Sequence, residues 1–160
     1  MPPMEPSRTT PEEPLDESSL TELIGYQLAQ ASIVTARVFQ TRVGKPQDLN
    51  TVEYTMLALI RANPGVSPSQ LRKALGISKP YVTAGLEKLH SRKLISREVN
   101  PSDQRAQCLH VTPASARQVE SMTAELLAGE RDAMPTLSSA ERMMLAELLH
   151  KLAQARIEPQ

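Results

Sequence analysis

Lys79, Tyr81 and Thr83 crowd into five positions of this 160-residue chain, Lys88 and Arg92 follow, and Asp103, Gln104 and Arg105 stand together further on. These residue types suit binding to nucleic acid. Ammonium and guanidinium groups neutralise phosphate, and hydroxyls exchange hydrogen bonds with base edges or phosphate oxygens. An arginine enters a minor groove where the potential is most negative, and a nearby aspartate can hold its guanidinium in place. Catalysis finds no comparable support. The sequence has no phosphate loop, nucleophile elbow or metal-binding helix motif, and nothing pairs His90 with Asp103. His90, His110 and His150 lack metal-ligand spacing, and Cys108 is the only cysteine, so neither a zinc nor an iron–sulfur site is expected, and no cofactor. As a redox sensor Cys108 would need a resolving thiol, which one chain does not supply.

The cationic residues need elements to hold them, and the stretch from Ser67 to Val111 provides a set. Ser67-Pro68-Ser69-Gln70 places a serine at an N-cap, a proline at the first helical position and a glutamine three residues on. Leu71, Ala74 and Leu75 share one face of that short helix, and Gly76 suits a left-handed C-terminal residue. Ile77 can plug the corner. Ser78 is expected to cap a second helix with Pro80 in its first turn and Val82, Leu86 and Leu89 as its inner stripe. Lys79, Tyr81, Thr83, Glu87, Lys88 and Ser91 then face the other way. After them the period becomes two, with Ile95, Arg97 and Val99 on one strand and Gln107, Leu109 and Val111 on the other. Asn100-Pro101-Ser102-Asp103 supplies turn residues, and the predicted turn between the strands contains Asp103, Gln104 and Arg105.

Leu71-x-x-x-Leu75-Gly76-Ile77-Ser78, Val82-Thr83, Leu86, Leu89, Leu94-Ile95-x-Arg97, Asp103-x-Arg105 and Val111-Thr112-Pro113 together resemble the MarR family of bacterial transcriptional regulators. Ile24-Gly25-Tyr26 also resembles the family's first helix. The resemblance implies a dimeric winged helix-turn-helix regulator, more often a repressor, released from DNA by a small aromatic or phenolic ligand. Three positions depart from the family pattern. Ala84 stands where many relatives have arginine, Lys93 replaces a common glycine before the wing, and Gln104 replaces a second basic residue. Losing an arginine at position 84 removes a bidentate base contact worth roughly 1–3 kcal/mol of discrimination, so the operator cannot be borrowed from a relative.

The fold class expected is mainly α with a small β-wing. Residues 1–18, rich in proline and acid, read as a disordered tail. Residues 19–45 read as an N-terminal dimerisation helix, capped at Ser19 with Glu22 and broken at Gly44-Lys45-Pro46. Residues 46–112 form the winged helix-turn-helix, whose first helix opens at Asn50 with Glu53 and ends at Asn63-Pro64-Gly65. Residues 113–157 hold two further helices: one starts at Thr112-Pro113 with Val119, Met122, Leu126 and Leu127 as its stripe, the other at a Ser138–Glu141 box ahead of Met143, Met144, Leu145, Leu148, Leu149 and Leu152. On helix count alone these stripes could close a bundle within one chain or pair two chains; the family resemblance favours the homodimer.

Net charge is zero, yet residues 61–105 carry nine bases against three acids, a net of +6, while residues 1–24 carry one base against six acids, a net of −5. The basic field coincides with the helix-turn-helix pattern. Ser78, Lys79, Tyr81, Thr83, Lys88, Arg92, Asp103, Gln104 and Arg105 are the DNA-binding candidates. Lys79, Tyr81 and Thr83 are expected to reach base edges or phosphates, Lys88 and Arg92 the backbone, and Arg105 the minor groove. Tyr26, Arg37 and Tyr54 could accept the phenol or carboxylate of an effector, although such tyrosines also serve as core or interface residues. No apolar run reaches the roughly 18 residues of a membrane span, and the N-terminus lacks the order of a signal peptide, so a cytoplasmic protein is expected. A winged helix used only for protein binding is the rival reading, and it predicts sequence-indifferent DNA affinity with shallow salt dependence.

Overall fold

A computed structural model describes residues 14–100 and 103–155, with side chains placed for 14–99 and 107–155. Helices α1 (Ile24–Phe39), α3 (Thr51–Ala62), α4 (Pro68–Leu75) and α5 (Lys79–Ser91) precede an antiparallel pair, β1 (Ile95–Asn100) and β2 (Asp103–Val111). Helices α6 (Pro113–Ala133) and α7 (Ser139–Gln154) follow. A π-helical stretch (Gln40–Gly44) and the single turn α2 (Lys45–Gln47) continue directly from α1. The chain divides into two compact units, residues 1–36 and 37–160.

In the first unit the helix starts at Ile24, five residues beyond the predicted cap at Ser19. Residues 18–22 form turns instead: the Glu17 carbonyl accepts the Leu20 N–H, and the Asp16 carboxylate accepts the Ser18 N–H at 2.9 Å. The Ser19–Glu22 box expected from the sequence therefore does not open the helix. Most of the disordered tail expected over residues 1–18 lies outside the described residues. Leu23, Ile24, Ile33 and Val34 leave their side chains in solvent.

The second unit holds the core, built from Phe39, Val43, Met56, Leu57, Ile60, Leu71 and the α5 stripe Val82, Leu86 and Leu89, closed by Ile95 and Leu109 of the wing and by Val119 and Met122 of α6. Capping follows the sequence at α3, α4 and α7, where Asn50–Glu53, Ser67–Gln70 and Ser138–Glu141 form reciprocal boxes. Gly76 takes φ 65° and ends α4 as predicted. Ala74, placed on the inner face by its spacing, is exposed, because an eight-residue helix buries little beyond Leu71. Leu127 is likewise 66% exposed, while Leu126 beside it packs on the core.

Gly44-Lys45-Pro46 does not break the first helix. The Lys45 N–H reaches back to the Gln40 carbonyl, a five-residue span that widens the helix and admits Pro46, which has no N–H of its own to donate. The stop comes at Asp48, in the left-handed conformation at φ 49° and ψ 52°. Alongside, α6 approaches so closely at Gly129 that a Cβ there would lie 2.7 Å from Val38 Cγ1. Arg42 bridges the same seam through Glu125 at 3.4 Å and Asp132 at 3.3 Å.

The wing register pairs Ile95 with Val111, Arg97 with Leu109 and Val99 with Gln107, the alternation read from sequence. At the tip the pairing jumps to Asn100 with Asp103, so Asp103, Gln104 and Arg105 belong to strand β2 and not to the turn. The extra residues are taken up as an irregularity in the ladder. A segment that the sequence reading missed completes the wing. Val66 bridges Leu109, whose N–H donates to the Val66 carbonyl and whose carbonyl accepts the Gly65 N–H, both at 2.9 Å. Gly65 reaches that position at φ 85°.

Candidate nucleic-acid interface

Helix α5 turns two faces to two tasks. Val82, Leu86 and Leu89 anchor it in the core, each no more than 2% exposed. On the opposite side Lys79, Tyr81 and Thr83 stand in solvent, with Tyr81 half exposed at 50%. Thr83 donates its hydroxyl hydrogen to the Lys79 carbonyl at 3.0 Å, leaving the oxygen lone pairs free to accept. Ser78 occupies the N-cap with extended backbone, yet its hydroxyl makes no capping bond, contrary to the role predicted for it. Pro80 explains why the helix tolerates this: it sits in the first turn and removes one donor that a cap would otherwise satisfy.

At its far end α5 closes in a paired C-terminal motif. The Leu94 N–H donates to the Leu89 carbonyl and the Lys93 N–H to the His90 carbonyl, which requires Lys93 to adopt φ 58°. That geometry is the physical reason a glycine would suit position 93. Thr112 ties the other wing strand to the same corner, its N–H to the Leu94 carbonyl at 3.1 Å and its hydroxyl to the Lys93 carbonyl at 3.2 Å.

The two cations assigned to the DNA backbone have partners within the protein. Lys88 Nζ lies 3.1 Å from the carboxylate of Glu53, which is 6% exposed, and Arg92 donates to the main-chain carbonyls of Asp48 and Gln47, each at 2.8 Å. Both are thus engaged within the protein, while the sequence reading assigned them to the DNA backbone. A buried carboxylate needs a nearby cation and hydrogen bonds, and the carbonyls ending a helical run lack donors, so both basic groups turn inward. Sequence reasoning missed Gln47 and Asp48 and read Glu53 only as a capping partner. The left-handed Asp48 carries no motif, and the contact to Arg92 spans 44 positions. For Asp103, Gln104 and Arg105 the backbone lies in β2, and their side chains fall outside the described residues.

The three effector candidates belong to two units, Tyr26 to the first and Arg37 and Tyr54 to the second. A hydrogen bond to Glu17 holds the Tyr26 phenol above its ordinary pKa, within the first unit. In the second unit Tyr54 exchanges a hydrogen bond with Thr123 at 2.8 Å and packs on Phe39 with centroids 6.0 Å apart, which is a packing role, while Arg37 is exposed. None of the three lines the cavity of about 220 Å³ beside α5, bordered by Tyr81, Ala84, Gly85, Lys88 and Glu53. Ala84 thus borders a hollow between α5 and α3. Among the described residues no cluster of histidine, cysteine and acidic side chains could hold a metal, and no helix is long and apolar enough to cross a membrane.

Comparisons with known proteins agree on one architecture. A MarR family model matches residues 47–106, the span from the elbow to the wing. A protein assigned to transcriptional regulation of the hcr operon in Thauera aromatica is 29% identical over 138 residues, covering 86% of this chain and 83% of that relative. The transcriptional repressor CouR, solved on a 23-mer DNA duplex, is 28% identical with a TM-score of 0.79, covering 88% of this chain and 99% of that one. BpsR of Bordetella bronchiseptica, whose DNA binding is regulated by 6-hydroxynicotinic acid, is 25% identical with a TM-score of 0.73, covering 84% and 95%. Members of this family regulate transcription and are not enzymes. With the helix pair, the wing and its tie to Val66 in place, the chain has the winged-helix fold of these transcriptional regulators and is similar to the MarR family over residues 47–106.

Proposed function

We propose that two copies of this chain bind a pseudo-palindromic operator and repress the gene it controls, with the N-terminal half of α5 in the major groove. The observation that carries this reading is the exposed row Lys79, Tyr81 and Thr83 on a helix whose opposite face is locked into the core. Ser78, with its hydroxyl unused by the cap, joins them at a phosphate. Arg105 enters the minor groove, Asp103 orients it and Gln104 lies beside it. Lys88 and Arg92 support the helix from behind. Two-fold pairing places the recognition helices about one DNA turn apart, roughly 34 Å.

The dimer is supported by α7, none of whose residues is buried in one chain, although Met143, Met144, Leu145, Leu148, Leu149 and Leu152 lie along it. The effector is a small aromatic or phenolic compound or a carboxylate, supported by the ligand that regulates BpsR. Arg37 and Tyr54 are its candidate contacts in the second unit, and Tyr26 is the candidate in the first.

Genomic fragments captured by the purified full chain, followed by binding titrations across salt concentrations, test this function. Capture of a discrete palindromic site is expected, with affinity falling steeply as salt rises. Arg105→Ala should weaken binding far more than Arg156→Ala. Equal effects of the two substitutions would remove the wing from the interface, and indifference to sequence would remove the operator.

A further inference from the structure

We infer that Arg92 is a positioning residue for DNA recognition, clasping helix α5 to the elbow at Gln47 and Asp48 so that the reading face is held at a fixed angle. The inference rests on the proposed docking of α5.

Four observations carry it. The guanidinium of Arg92, 32% exposed, is spent on two adjacent main-chain carbonyls, those of Gln47 and Asp48, at 2.8 Å each. Those carbonyls converge because Asp48 is left-handed, which ends the helical run and leaves its last acceptors without helical donors. One turn earlier on α5, Lys88 reaches the same region, 3.9 Å from the Asp48 carboxylate and 3.1 Å from that of Glu53. Finally, the elbow is held from a third side, since Gln118 of α6 donates its amide N–H to the Gln47 side-chain oxygen. One short segment therefore receives α5 through a planar fork and α6 through an amide.

A fork on two carbonyls fixes direction as well as distance, which an ammonium cannot do. The C-terminal end of α5 carries the clasp, and its N-terminal end carries Lys79, Tyr81 and Thr83. A small rotation at one end displaces the side chains at the other, and hydrogen bonds to base edges tolerate such displacement poorly. Phosphate attraction tolerates it well. Loss of the clasp should therefore damage discrimination more than general affinity, and Gln118 makes the angle of α5 responsive to the position of α6.

The test uses the full chain and the duplex it enriches from a random pool, set against a random duplex, with affinities measured across salt for the native chain, Arg92→Lys, Arg92→Gln and Gln118→Ala. For both Arg92 variants, affinity for the enriched duplex should fall about tenfold or more, random-duplex affinity should stay within about twofold, and the salt slope should not change. Lysine should rescue no better than glutamine. Gln118→Ala, which leaves every cation in place, should lose discrimination in smaller measure. An Arg92 that touches phosphate gives the opposite pattern: both duplexes weaken alike, the slope drops by about one, and lysine restores binding. That result, or full discrimination by Gln118→Ala, overturns the inference. Hydrogen exchange without DNA separates the clasp from the operator. Arg92→Gln should speed exchange over residues 86–94 and 47–50 but not over α7. If the native chain enriches no duplex, the operator reading fails while exchange still decides the clasp; unchanged exchange overturns the clasp itself.

Discussion

Lys93 holds a left-handed backbone at φ 58°, where a side chain crowds the following carbonyl, and Leu94 and Thr112 both depend on that geometry. Lys93→Gly should therefore raise stability by up to about 1 kcal/mol in urea unfolding, the relief of strain being partly offset by the freer unfolded chain. A loss of stability would mean that the lysine side chain contributes more than the backbone costs. Two serines provide a second contrast at this scale. Ser67 accepts the Gln70 N–H and its own N–H is taken by the Gln70 side chain, whereas Ser78 makes no capping bond. Ser67→Ala should cost about 1 kcal/mol. Ser78→Ala should leave the unfolding midpoint almost unchanged and weaken DNA binding instead, a separation that paired unfolding and binding measurements would check.

Among elements, α6 packs closely at Gly129 against the end of α1 and the π-helical stretch. Gly129→Ala puts a methyl 2.7 Å from Cγ1 of the buried Val38 and 3.0 Å from Arg42 Cγ. A destabilisation of about 1–3 kcal/mol is expected from overpacking, larger than the helix propensity gained from alanine. Thermal unfolding would measure it, and an unchanged midpoint would show that the seam opens freely. Much at this scale was legible in sequence. The caps at Asn50, Ser67 and Ser138 and the register of Ile95, Arg97 and Val99 against Val111, Leu109 and Gln107 depend on spacings of three and two within short segments. The start of α1 was not legible, because residues 18–22 form turns that no local spacing announced. Nor was the helical run through Pro46, which depends on one widened turn.

For the molecule as a whole, the decisive property is the apolar surface left on α7. Met143 is 74% exposed and Leu148 53%, and Met144, Leu145, Leu149 and Leu152 along the same helix are exposed with them. Leu148→Glu places a charge on that surface and should shift sedimentation of the full chain from dimer to monomer while leaving the winged-helix core folded by circular dichroism. Operator binding should fall with it, since each half-site is then bound singly. Persistence of the dimer would move the two-fold contact away from the middle of α7.

The sequence by itself determined the order of elements, the inner stripe of α5, the pairing of the wing strands and the exposed row Lys79, Tyr81 and Thr83, because each follows from periodicity within one element. Only the tertiary structure decided what Lys88 and Arg92 do. Their carbonyl and carboxylate partners lie 35 to 45 positions away, brought close by a left-handed aspartate, so local spacing could count the charges of α5 but not tell which stand in solvent and which have partners in the protein.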